Sequence, residues 1–255
     1  MTAPGLPGEV RRGADAFRTV RADRTTVHAF SFGPHYDPAN LGFGPMVCHN
    51  DDRVAPGGGY PDHPHSDLEI VTWVLDGELT HTDTVDGSRA ALGAGTVQVT
   101  SAGSGIRHSE LVDPAAGPTR FLQVWLRPDE PGRAPRTTRT TAVLDADGFT
   151  PLAGADGLPL GTRGATLLVA RPRAGAPLRL PDAPLLHVYV ARGAVTLPEH
   201  AAERTARHGA GGYDAPAAPV WGEGDAWRLR DAGEQVVVPR DDGTELVVWA
   251  FDAEG

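Results

Sequence analysis

The chain is punctuated into short apolar runs, and the longest of them read as strands. Leu68 to Leu75 (LEIVTWVL) is the strongest such run, and the Asp76-Gly77 pair after it is a hairpin turn signal. Glu78 to Asp83 then reads as the returning strand, Asp86-Gly87-Ser88 as another turn, and Leu92-Gly93-Ala94-Gly95 as a Gly-rich corner before Val97 to Thr100. Thr25 to Phe32 alternates between apolar and polar positions, the pattern of a half-buried strand, and Phe121 to Leu126 is a further strand. Between these, 33–50 reads as a loop-rich segment anchored by Leu41, Phe43, Met46 and Val47.

The period breaks at Arg127 to Thr141, which holds three prolines and a charge cluster but no apolar repeat. A second strand series follows: Thr166 to Ala170, Leu185 to Ala191, Ala194 to Leu197, Trp227 to Leu229, Gln235 to Val238 and Glu245 to Phe251. Arg192-Gly193 stands between two of these much as Asp76-Gly77 does earlier, and Gly222 to Asp225 parallels the corner at Gly93 to Gly95. The chain is therefore expected to be all-β, with two related β-barrel halves in tandem. Residues 1–128 form the first, 129–142 a linker and 143–255 the second. His200 to His208 is the one stretch that reads as a short helix.

Composition narrows the function classes. The 32 glycines and 23 prolines fit many short strands and tight turns. A formal charge of −10, with no basic cluster, argues against nucleic acid or an anionic membrane as the main partner. One cysteine, Cys48, rules out an internal disulfide and a multi-thiolate metal site. No apolar run approaches the ~18 residues of a membrane span, and Met1 to Arg12 lacks a secretory apolar core, so the expected compartment is the cytoplasm.

The candidate chemistry lies between Gly57 and Glu110. Gly57-Gly58-Gly59-Tyr60-Pro61-Asp62-His63-Pro64-His65 opens this stretch, and Gly103-Ser104-Gly105-Ile106-Arg107-His108-Ser109-Glu110 closes it. In extended chain, residues i and i+2 share a face, so His63 pairs with His65 and His108 with Glu110. If the two ends meet, three imidazoles and a carboxylate converge as a metal site. The glycines allow sharp turns where ligands must be aimed inward, and Pro64 places its element at a strand end or edge. Glu69 offers a second candidate carboxylate, and spacing alone does not choose between it and Glu110. The remaining histidines, including His28, His35, His49, His81 and His187, stand outside any such pair and read as structural or solvent-facing, with His49 near enough to lie behind the site. No nucleophile elbow, phosphate loop or dinucleotide fingerprint occurs.

The spacing of Gly57, His63, His65, Glu69 and Gly77 resembles the first motif of the cupin superfamily, and Gly105 with His108 resembles part of the second. More specifically, Asn50-Asp51-Asp52-Arg53-Val54, Tyr60 to His65 with Glu69, and Ser101 to Glu110 resemble the pirin family of bicupins. The resemblance runs from Phe32 to about Pro135 and weakens beyond. It implies two cupin-type jelly-roll domains, with metal held by His63, His65, His108 and Glu110. Iron(II) is the expected ion, and Mn, Ni, Co, Cu or Zn suit the same ligands. The resemblance also implies a quercetin 2,3-dioxygenase-like oxidoreductase acting on a small aromatic enol and dioxygen, with release of carbon monoxide. Glu110, or else Glu69, would serve as general base. The alternative is a non-catalytic, metal-binding regulatory protein whose metal shapes a partner surface; a cupin isomerase or stress-related protein without a redox step is a third reading.

Overall fold

The structure is a computed structural model that describes residues 8–85, 87–198 and 219–252. The expected helix at 200–208 lies outside the described residues. The named elements among the described residues are all β-strands apart from one 3-10 turn, Gly13–Asp15.

The first twelve strands are β1 (Glu9–Arg11), β2 (Phe17–Val20), β3 (Arg24–His28), β4 (Met46–Val54), β5 (Gly59–His65), β6 (Glu69–Asp76), β7 (Glu78–Asp83), β8 (Arg89–Gly93), β9 (Thr96–Ser101), β10 (Ile106–Leu111), β11 (Thr119–Leu126) and β12 (Arg136–Thr141). The remaining nine are β13 (Thr150–Ala153), β14 (Ala165–Ala170), β15 (Leu178–Arg179), β16 (Leu185–Arg192), β17 (Ala194–Thr196), β18 (Val220–Gly222), β19 (Ala226–Arg230), β20 (Val236–Pro239) and β21 (Glu245–Phe251). They divide into two compact units. One comprises Ala16–Val143 with Leu152–Thr166; the other comprises Leu144–Pro151 and Leu167–Asp252 with the described residues up to Asp15.

The first unit faces a seven-stranded sheet, β12-β9-β6-β11-β4-β3-β2, with a four-stranded sheet, β5-β10-β7-β8. Its apolar filling joins both: Val54, Val74 and Phe121 from the large sheet meet Leu79 and Leu92 from the small one. Strand β6 is buried at every position but the last, as a run apolar on both faces apart from Glu69 and Thr72 requires. Gly77 turns it into β7 with φ +73°, a left-handed conformation that glycine adopts without strain. The small sheet carries polar residues inward as well as leucines, and that is where the site forms. The second unit has a six-stranded sheet, β1-β19-β16-β21-β14-β13, and a four-stranded sheet, β15-β20-β17-β18, around its own core of Val188, Trp221, Trp227 and Val248. The molecule is thus all-β, with two jelly-roll-type domains.

Three expectations need correction. The stretch expected to link the halves contains β12, whose Arg136–Thr141 pairs antiparallel with Ser101–Thr96 of β9. It shows no apolar period because it is an exposed edge strand, made by threonines that favour extended backbone. The segment through Arg11, grouped by sequence with the first half, instead pairs with β19 in the second unit, Glu9 opposite Arg228 and Arg11 opposite Ala226. Leu41 is 52% exposed and anchors nothing, whereas Phe43 and Met46 are buried as expected. No helix of the described residues is long and apolar enough to cross a membrane.

Candidate metal centre

Strands β5 and β10 run antiparallel with His63 opposite His108, so the two ends of the Gly57–Glu110 stretch do meet. A register shift between His108 and Glu110 sets Glu110 opposite Tyr60. Gly59 makes that approach feasible: at φ +129° it lies so close that an added Cβ would sit 2.2 Å from the Glu110 carbonyl oxygen.

His63, His65 and His108 bring one ring nitrogen each to within 4.8 Å of one another, the only such group of potential ligands among the described residues. The Nε2 atoms of His108 and His63 are 3.0 Å apart. Two nitrogens each ~2.1 Å from one ion and at right angles about it lie about 3.0 Å apart, so this spacing is that of neighbouring ligands. His65 supplies a stronger indication. Its Nε2 is buried and has no hydrogen-bond partner, a cost that a metal would remove. The His63 ring is fixed from behind by Nδ1, which donates to the Pro61 carbonyl at 2.7 Å and so leaves Nε2 as the free lone pair. Burial, followed by the neighbouring imidazoles, pushes both His65 and His108 down to about 4, so both are neutral at pH 7 as metal ligands must be. The residues present fit a divalent metal ion.

Glu110 is 1% exposed and on the inward face of β10 two residues after His108, but it is not in the three-histidine group. Both carboxylate oxygens accept from Gln123 Nε2 at 2.8 Å, and Gln123 Oε1 accepts from Trp125 Nε1 at 3.0 Å. Trp125 also packs edge-on against His65, ring centres 4.9 Å apart. Glu69, the other candidate carboxylate, is committed elsewhere: its Oε2 accepts from Ser101 Oγ at 2.8 Å and from the Gly161 amide at 3.0 Å.

Sequence reasoning missed His81 and Gln123. His81 is 1% exposed, with Nε2 3.1 Å from His108 Nδ1, so it stands behind a candidate ligand rather than in solvent. The signal was available, since His81-x-Asp83 has the same spacing as the ligand pairs. His28 and His35 do stay apart from the site: both meet Thr19 Oγ1, and His28 Nδ1 also meets Asn50 Oδ1 at 2.8 Å. A second buried carboxyl, Asp52, accepts from Thr26 Oγ1 at 2.5 Å and Tyr60 Oη at 2.6 Å. Burial outweighs those bonds and raises it to about 7. A cleft of about 520 Å³ opens beside His65, bordered by Pro64, Thr84, Gly105 and Arg107.

Comparison with known proteins gives a consistent picture. The family model described as Pirin matches residues 10–126. The chain is 37% identical over 253 residues to a Mycobacterium tuberculosis protein named "Putative quercetin 2,3-dioxygenase Rv0181c", covering 96% of each. It is 42% identical over 109 residues to an Escherichia coli protein named quercetin 2,3-dioxygenase, covering 43% of this chain and 47% of that one. Among solved structures, the Escherichia coli bacterial pirin YhhW in complex with nickel(II) superposes with TM-score 0.81 and 24% identity, over 96% of this chain and 99% of that one.

Proposed function

Because the chain belongs to the pirin family, we propose that it is a metal-dependent dioxygenase acting on quercetin-like flavonols or related aromatic enols. The observation that carries the reading is the convergence of three imidazoles with one buried, partnerless nitrogen, His65 Nε2. His63, His65 and His108 would hold the ion, with Glu110 as the fourth ligand and iron(II) as the metal; the nickel in the YhhW structure shows that a pirin takes a divalent ion. When bound, the ion would supply Lewis-acid and electron-transfer chemistry for an enol oxygen and dioxygen.

The chain's own groups do the rest. Glu110 accepts the proton of the substrate hydroxyl as general base, and Gln123 holds that carboxylate in place through both oxygens. The cleft beside His65 falls in the size range of small-molecule sites, and an aromatic compound held there would lie against that imidazole. Trp125, packed edge-on against His65, places an aromatic ring beside that imidazole.

Oxygen uptake by iron-reconstituted protein with quercetin, run beside His63→Ala, tests this. Uptake by the parent that vanishes in the variant is the expected result. A parent that binds iron one-to-one yet consumes no oxygen refutes the dioxygenase reading in favour of a metal-binding regulatory protein. Glu110→Gln tests the fourth ligand separately: metal binding as tight as the parent's would remove Glu110 from the set.

A further inference from the structure

Resting on the metal-centre reading, we propose that His81 and Asp83 are a positioning pair that sets the ring tautomer of His108, and with it the lone pair His108 can offer. Strand β7 alternates so that Leu79, His81 and Asp83 all point inward. Its register with β10 sets Asp83 opposite His108 and His81 opposite Glu110. His81 Nε2 lies 3.1 Å from His108 Nδ1. The other His81 nitrogen, Nδ1, faces Asp83 Oδ2 at 3.7 Å, with both side chains at most 2% exposed. Asp83 is itself pinned, accepting from the Val85 amide at 2.8 Å and from Thr137 Oγ1 at 2.7 Å. Through Thr137, β12 contributes to this arrangement.

Proton bookkeeping gives the chain of hydrogen bonds two states. A carbonyl only accepts, so the proton of His63 sits on Nδ1, facing Pro61, and His63 Nε2 is a bare acceptor. When no ion lies between them, the 3.0 Å contact between His108 Nε2 and His63 Nε2 is a hydrogen bond only in the state with the His108 proton on Nε2. His108 Nδ1 is left bare and accepts from His81 Nε2–H, so His81 Nδ1 presents a lone pair to the Asp83 carboxylate, an unfavourable pairing. Metal binding needs the opposite. His108 Nε2 must be bare, its proton must sit on Nδ1 and be accepted by His81 Nε2, and the His81 proton must sit on Nδ1, toward Asp83. Each imidazole carries one proton in both states; only the positions change. The Asp83 charge favours the second state, so the pair holds His108 ready for the ion and supplies the outer partner that metal-bound imidazoles characteristically have.

The test is nickel(II) titration calorimetry on the metal-stripped full chain, comparing the parent with His81→Leu, His81→Gln and Asp83→Asn. His81→Leu leaves His108 Nδ1–H buried without an acceptor, and nickel affinity is expected to fall about 10–100-fold. His81→Gln keeps an acceptor oxygen and should stay within about threefold of the parent, with Asp83→Asn falling between. Nitrogen-15 spectra of the zinc-loaded parent should place the His81 and His108 protons on Nδ1. The proposal is overturned if His81→Leu binds nickel as tightly as the parent, or if zinc-loaded His81 carries its proton on Nε2. It is equally overturned if His81→Gln melts like the parent yet loses as much affinity as the Leu variant. Should the Leu variant not fold, the Gln variant and the spectra decide. A parent that binds no nickel refutes the metal-centre reading itself rather than this pair.

Discussion

Replacing Gln123 by Leu separates two roles of Glu110, as a carboxylate held by the protein and as one taken by a metal. Glu110 is 1% exposed, and both its oxygens accept from Gln123 Nε2 at 2.8 Å. Leu fills similar volume but donates nothing, so a buried carboxylate loses a charge-assisted partner and Trp125 Nε1 loses its acceptor. Hydrogen bonds to charged groups contribute about 1.5–3 kcal/mol each, and a stranded buried charge costs more than a neutral group. The metal-free variant should therefore lose about 3 kcal/mol, which for a protein of this size lowers the melting midpoint by about 6–12 °C. If Glu110 binds the ion, nickel gives the carboxylate a new partner, and the loss in the loaded protein should shrink to about 1 kcal/mol. Scanning calorimetry with and without nickel reads both numbers. A metal-free midpoint within about 2 °C of the parent's refutes Gln123 as the group that holds Glu110. An equal drop in both states refutes Glu110 as a ligand.

Glu69→Gln should bind nickel within about threefold of the parent while losing about 1 kcal/mol of stability, because the Glu69 carboxylate serves Ser101 and Gly161 instead of the imidazoles; a large loss of nickel affinity, read by calorimetry, would contradict that. Gly59→Ala must place a Cβ 2.2 Å from the Glu110 carbonyl at a left-handed φ, so β5 and β10 should separate, with more than about 3 kcal/mol of destabilisation and loss of nickel binding together, measured by urea unfolding and titration. Burial raises Asp52 from the ordinary carboxylate range to about 7, so its protonated form stabilises the native state fully below pH 4, and that contribution is lost as pH rises through 7. Asp52→Asn removes this dependence, and the metal-free variant should gain on the parent between pH 5 and 7 by up to about 1.4 kcal/mol per pH unit; parallel stability curves would refute the assignment.

Period-2 patterning made most of the first unit legible. Leu68 to Leu75 announces the buried strand β6, Asp76-Gly77 its turn, and the spacings His63-x-His65 and His108-x-Glu110 mark side chains that share a face. Those signals are local: alternation follows from backbone geometry alone and survives whatever the strand pairs with. The same rule covered His81-x-Asp83, but a lone histidine in a polar run looks like any solvent-facing one until β7 is set beside β10. Edge strands escaped for a related reason, since Arg136–Thr141 is exposed on most of its length and carries no hydrophobic period to read.

What the sequence determined by itself was the all-β class, the turn positions, and the two same-face pairs His63 with His65 and His108 with Glu110, because each follows from residue type and spacing within a few positions. Only the tertiary structure decided which carboxylate stands where. Glu69 is drawn to an amide 92 residues onward, Glu110 is held by Gln123 from a strand across the barrel and set opposite Tyr60 by a register shift beside Gly59, and His108 meets His63 in the pairing of β10 with β5. Such choices depend on strand register and long-range contact, where shifting the pairing by a single residue would turn every one of these side chains to the opposite face.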